Sequence, residues 1–106
     1  MTIWVELRRR DSSPVRDVAD PSGGTFDAAG DFDRFIGRPT LPVLGAIDPY
    51  ADTSIASVEM PGLLRDIELS LDDAKDGPEM RGLLRLRALA GLCRDDASTY
   101  LIFGGD

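Results

Sequence analysis

Two amphipathic stretches stand back to back in the second half of the chain, and they constrain the fold more than any other feature. Leu63, Leu64, Ile67, Leu71 and Ala74 recur at helical spacing within about 100° of arc, while Asp66, Glu68, Asp72 and Asp73 fall off that stripe. Pro61 suits the first turn, where its missing N–H has no intrahelical partner, so the pattern predicts a helix over 61–74. Asp76-Gly77-Pro78 breaks it, and a second helix follows over 78–94 with Met80, Leu83, Leu86, Leu89, Ala90 and Cys93 on one broad face. The apolar arc of the second helix is wide, so it reads as sandwiched rather than laid on the surface.

The strands are legible at both ends. Residues 2–8 alternate, with Ile3, Val5 and Leu7 on one side and Trp4, Glu6 and Arg8 on the other, the period of a half-buried strand. Asp11-Ser12-Ser13-Pro14 reads as a turn, and Val15–Ala19 as a short hairpin partner before Asp20-Pro21-Ser22-Gly23-Gly24 interrupts the chain. Thr53–Val58 reads as a short strand or an extended lead-in to the first helix. Thr99–Phe103 closes the chain with high strand propensity and is expected beside the first strand. Between 25 and 50 breakers are too frequent for a long element, although Asp31–Ile36 allows a helical turn or two. Phe26, Phe32, Phe35, Ile36, Leu41, Val43, Leu44 and Ile47 recur there, so this segment must pack on the rest. The expected fold class is α+β: one domain over 1–106, a small mainly antiparallel sheet with two helices packed on one face.

With 106 residues the chain has one core and no room for a cleft between domains. It has no His and one Cys, which removes Ser-His and Cys-His nucleophile pairs, an imidazole proton shuttle and nearly all zinc sites. Cys93 can form no disulfide within the chain. No signal-peptide run and no stretch of ~20 apolar residues is present, so a cytoplasmic location is expected. Eleven Arg against Lys75 alone, with abundant Ala, Gly, Asp and Leu, suggests a GC-rich bacterial coding sequence.

The net charge of -7 is unevenly distributed: residues 1–16 carry +2, 17–60 carry -6, 61–80 carry -4 and 81–106 carry +1. An acidic middle disfavours nucleic acid and anionic membranes, both of which ask for a basic face. Arg8, Arg9 and Arg10 read as a solvated turn rather than a phosphate clamp. A basic protein partner suits the acids.

Other motifs yield to plainer readings. Gly23-Gly24-Thr25-Phe26-Asp27 looks like the phosphate-binding hairpin of actin and Hsp70-type ATPases, but that fold clasps nucleotide between two large lobes for which this chain has no space. Asp27, Asp31, Asp33, Asp48 and Asp52 offer oxygens to a hard cation, yet their spacing matches no EF-hand loop, and caps and Asx-turns account for them. Neither a metal nor a cofactor is expected. Cys93, on an apolar stripe, reads as a small buried hydrophobe. Asp48-Pro49-Tyr50-Ala51-Asp52 presents an aromatic between two acids in a Pro-fixed loop, the composition of a contact patch.

Two further patterns carry a resemblance. Asp52-Thr53, six residues, then Met60-Pro61-Gly62-Leu63-Leu64, and the terminal Tyr100-Leu101-Ile102-Phe103-Gly104-Gly105-Asp106, with its Y-L-x-F-x-G-D form, resemble a family of small bacterial proteins of uncharacterised function. The resemblance implies a shared fold and brings no catalytic residues. Taken together, the sequence predicts a non-enzymatic protein-binding protein that meets a basic partner through Asp27, Asp31, Asp33, Asp48, Tyr50 and Asp52. Size and acidity make an immunity-type protein its sharpest form. The alternatives are a small metal- or nucleotide-dependent enzyme using the same clustered Asp residues, and a homodimer formed through spare helix stripe.

Overall fold

The computed structural model describes residues 4–15, 33–48, 50–75 and 77–104. The element order is β1 (Trp4–Arg9), β2 (Thr53–Ala56), α1 (Met60–Asp72), α2 (Pro78–Asp95) and β3 (Thr99–Gly104), with single 3-10 turns at Asp33–Phe35, Leu44–Ala46 and Ser57–Glu59. This is the expected α+β fold, with a wholly antiparallel three-stranded sheet in the order β1-β3-β2. The last strand does lie beside the first, Arg9 opposite Thr99 and Trp4 opposite Gly104. It also takes the centre of the sheet, with Thr53 opposite Phe103 and Ala56 opposite Tyr100 on its other side. Its composition explains this: Leu101, Ile102 and Phe103 are consecutive and all buried, the signature of a strand covered on both faces rather than one.

Val5, Leu7, Ile55, Leu101 and Phe103 turn one face of the sheet toward Leu63 and Ile67 of α1 and Leu83, Leu86, Ala90 and Cys93 of α2, which together form a single core. The broad stripe of α2 reflects its several contacts, with α1, with β1 and β3, and with the Ser57–Glu59 turn. Phe35, Leu41, Leu44 and Ile47 join the same core, so the breaker-rich segment does pack as its apolar residues require. The expected hairpin after the first strand is reduced, among the described residues, to a bridge between Arg8 and Pro14, with Val15 N–H donating to Leu7 C=O at 2.9 Å. Residues 16–19 lie outside the described residues.

Asp66 corrects the sequence reading. The stripe leaves it off the apolar arc, but its side chain is completely buried. Its Oδ2 accepts Val43 N–H at 2.8 Å and Leu44 N–H at 3.0 Å, which supplies the acceptor that the start of the Leu44–Ala46 turn lacks. A carboxylate on the long segment's side of α1 therefore anchors that segment to the helix. Gly45 is required by the same packing, because a Cβ there would overlap the Arg38 carbonyl oxygen.

A second anchor lies at the helix junction. Gly77, at φ 96°, turns the chain into Pro78, the first residue of α2. Glu79 then accepts Arg34 Nη2 at 2.6 Å and Nε at 3.0 Å, a bidentate pair, while Arg34 Nη2 also donates to Asp73 C=O at 2.7 Å. Arg38 joins through Asp73 Oδ2 at 3.3 Å, and both guanidinium groups lie over the Phe35 ring, 4.6 and 4.8 Å from its centroid.

Candidate functional site

The loop from Asp48 to Asp52 is built by its first residue. Asp48 Oδ1 accepts Tyr50 N–H at 2.8 Å, an Asx-turn, and Asp48 N–H donates to Thr53 Oγ1 at 3.2 Å, which fixes the loop to the start of β2. Ile47, immediately before, is buried, so the turn begins where the chain leaves the core. The result is a projecting aromatic: Tyr50 is 73% exposed, with Asp48 and Asp52 exposed on either side. A Tyr tucked over the core is the commoner outcome for such a turn, and the structure does not have it.

Of the other sequence-named acids, only Asp33 falls among the described residues. Asp27 and Asp31 lie outside the described residues, as does the Gly23–Asp27 turn. Asp33 opens the 3-10 turn Asp33–Phe35, next to Arg34. The charge of that stretch is consumed internally, since Arg34 and Arg38 are committed to Glu79 and Asp73. Their guanidinium groups hold both carboxyls below the usual carboxylate range, Glu79 chiefly through the hydrogen bond from Arg34 and Asp73 chiefly through that from Arg38. Among the described residues, no three of Asp, Glu and Cys gather closely enough to hold a metal ion, and no helix is long and apolar enough to cross a membrane.

Two grooves flank the strand that follows the loop. The nearer, about 400 Å³, runs between Thr53, Ser54 and Ile55 on one side and Pro42, Val43 and Ala46 on the other, with Glu59 and Gly62 completing it. Gly62 lets Val43 approach α1 closely, because a Cβ there would stand 3.1 Å from Val43 Cγ2. The farther groove, about 700 Å³, is lined by Ala56, Val58, Pro61 and Tyr100, with Arg10 and Arg94 among its charged residues. Val58 is 85% exposed there. Sequence reasoning missed both, because their walls come from residues far apart in the chain; only Val58, an apolar residue off every stripe, signals the second.

Two hydroxyls of the larger groove are spent on capping, Ser57 Oγ donating to Cys93 C=O at 2.6 Å and Thr99 Oγ1 to Asp96 C=O at 2.7 Å, at and just beyond the end of α2, while the third, on Tyr100, donates to Ser12 Oγ at 3.4 Å. Cys93 is fully buried, and burial pushes its thiol above the usual range, with the Asp96 charge adding to the effect, so it is a poor nucleophile. A scan of protein-family models and searches of curated proteins and of solved structures return no match to this chain.

Proposed function

We propose that this chain is a non-enzymatic protein-binding domain that takes a basic partner through the loop Asp48–Asp52. The observation that carries the proposal is the projecting Tyr50, 73% exposed between two exposed acids. The sequence around it is acidic: from Pro39 to Leu64 it holds Asp48, Asp52 and Glu59 and neither Lys nor Arg. Opposite fields speed encounter and set register, while a rigid aromatic that becomes buried in the complex supplies most of the affinity. Asp27, Asp31 and Asp33 enter as further contacts on the strength of the sequence alone. Neutralisation of a basic toxin domain, an immunity-type role, is the narrowest form of this reading.

A displayed random-peptide library panned against the purified chain tests it. The selected peptides should be enriched in Lys and Arg, and Tyr50→Ala should weaken them by ~2 kcal/mol or more, as truncation of a central aromatic does. Peptides without basic enrichment, or binding equally well to Tyr50→Ala and to Asp48→Asn/Asp52→Asn, would contradict the proposal.

A further inference from the structure

The two edges of the sheet are treated differently. Along β1, Val15 N–H donates to Leu7 C=O and Arg9 N–H to Ser13 C=O, both at 2.9 Å, so the returning chain covers that edge at residues 7 and 9. Those two bonds also fix which backbone groups point where. Residues 7 and 9 turn their groups away from β3, so by the alternation of an antiparallel ladder the β1–β3 bonds belong to the pairs Glu6–Ile102 and Arg8–Tyr100. Leu101 and Phe103 must then aim theirs at β2, where they meet Ile55 and Thr53. Among the described residues this leaves unpaired on β2 Ser54, with N–H and C=O directed outward, and the N–H of Ala56.

Both residues are exposed, and the 400 Å³ groove lies along this edge. The strand reads Thr-Ser-Ile-Ala and carries none of the Lys or Pro residues with which edges are commonly blocked. Asp48 and Asp52 stand at its entrance and Glu59 in the groove; the flanking bases in sequence are Arg38, tied to Asp73, and Arg65, whose Nη2 lies 3.9 Å from Asp66 Oδ1. Among the described residues this edge is unpaired, its far wall of Pro42, Val43 and Ala46 is apolar, and the acids beside it, Asp48, Asp52 and Glu59, suit an extended basic occupant.

We infer that an extended, Lys- or Arg-bearing segment of the partner adds to the sheet as a fourth strand along β2, hydrogen-bonded to Ser54 and Ala56 beside the acidic loop. This inference rests on the loop reading above and gives it a docking mode. Main-chain bonds to the edge supply affinity, and the acids select charge.

The probe is an eight-residue peptide alternating lysine and valine, which offers one basic and one apolar face when extended. On saturation, amide exchange at Ser54 and Ala56 should slow by ~10-fold or more, the equivalent of one added hydrogen bond. Methylating alternate peptide nitrogens should abolish binding in one register and leave it nearly intact in the other, because only every second amide of an added strand faces the edge. Ser54→Pro, which removes an outward donor and spares the bonds to β3, should abolish binding too; should that variant misfold, the methylated peptides decide the matter on the natural chain. Binding that falls in Asp48→Asn/Asp52→Asn but is indifferent to methylation register overturns strand addition and leaves the acidic loop standing. A peptide that does not bind the natural chain at all overturns both, and a concentration-dependent dimer that dissociates in Ser54→Lys assigns the edge to a second copy instead.

Discussion

Asp66 shows how much one side chain can carry. Its carboxylate is fully buried yet accepts two backbone N–H groups, so its removal strands two donors rather than breaking one bond. With a desolvation penalty of about 1–3 kcal/mol for each orphaned donor, Asp66→Ala is expected to lose roughly 2–5 kcal/mol in urea unfolding. Asp66→Asn keeps one oxygen in place and should lose less. Glu79 gives a pH-dependent counterpart. Arg34 holds its carboxyl below the ordinary value, so the folded chain binds that proton more weakly than the unfolded chain does. Its contribution is complete above the unfolded value of roughly 4.3 and disappears as pH falls through the lower folded value. Glu79→Gln is therefore expected to cost about 1–2 kcal/mol at neutral pH, allowing for the partial exposure of Arg34, and to flatten the loss of stability below pH 5. Cys93, buried and raised, should be alkylated slowly in the native chain and quickly once urea unfolds it.

Elements whose identity is local were legible in the sequence. The α1 and α2 stripes and the alternation of β1 place those elements to within a residue or two, because period depends only on neighbours. β3 was legible as a strand but not as the central one; its position follows from being apolar on both faces, which also suits an edge covered by other means. The anchors were not legible. Arg34 and Glu79 stand 45 residues apart, and Asp66 meets Leu44 across 22, distances over which no periodic signal reports contact. The site divides in the same way: the Asp48–Asp52 loop is a local Asx-turn and could be read, whereas the open edge of β2 depends on sheet order and could not. The segment 33–47 owes its place to these anchors and to close packing at Gly45. Gly45→Ala, which drives a methyl into the Arg38 carbonyl, should lower stability by about 1–3 kcal/mol in thermal or urea unfolding, the usual range for overpacking.

At the scale of the whole molecule, charge and shape act together. The core joins the sheet to both helices on one side, leaving the β2 edge and the loop before it on the surface. Helix surfaces are cross-linked by pairs such as Arg87–Glu68 at 3.2 Å, which balance local charge, while the 39–64 stretch of the sequence has acids and no base of its own. That imbalance is what a basic partner would read at long range, and salt should screen it. The most direct test of the account is the association rate of a library-selected basic ligand, measured by stopped-flow between low and physiological ionic strength on the natural chain and on Asp48→Asn/Asp52→Asn. The account predicts a rate that falls steeply with salt in the natural chain and a shallower dependence in the variant, as the Debye length shortens to ~8 Å at physiological salt. A rate that ignores salt, or a variant with the same salt slope as the natural chain, would contradict it.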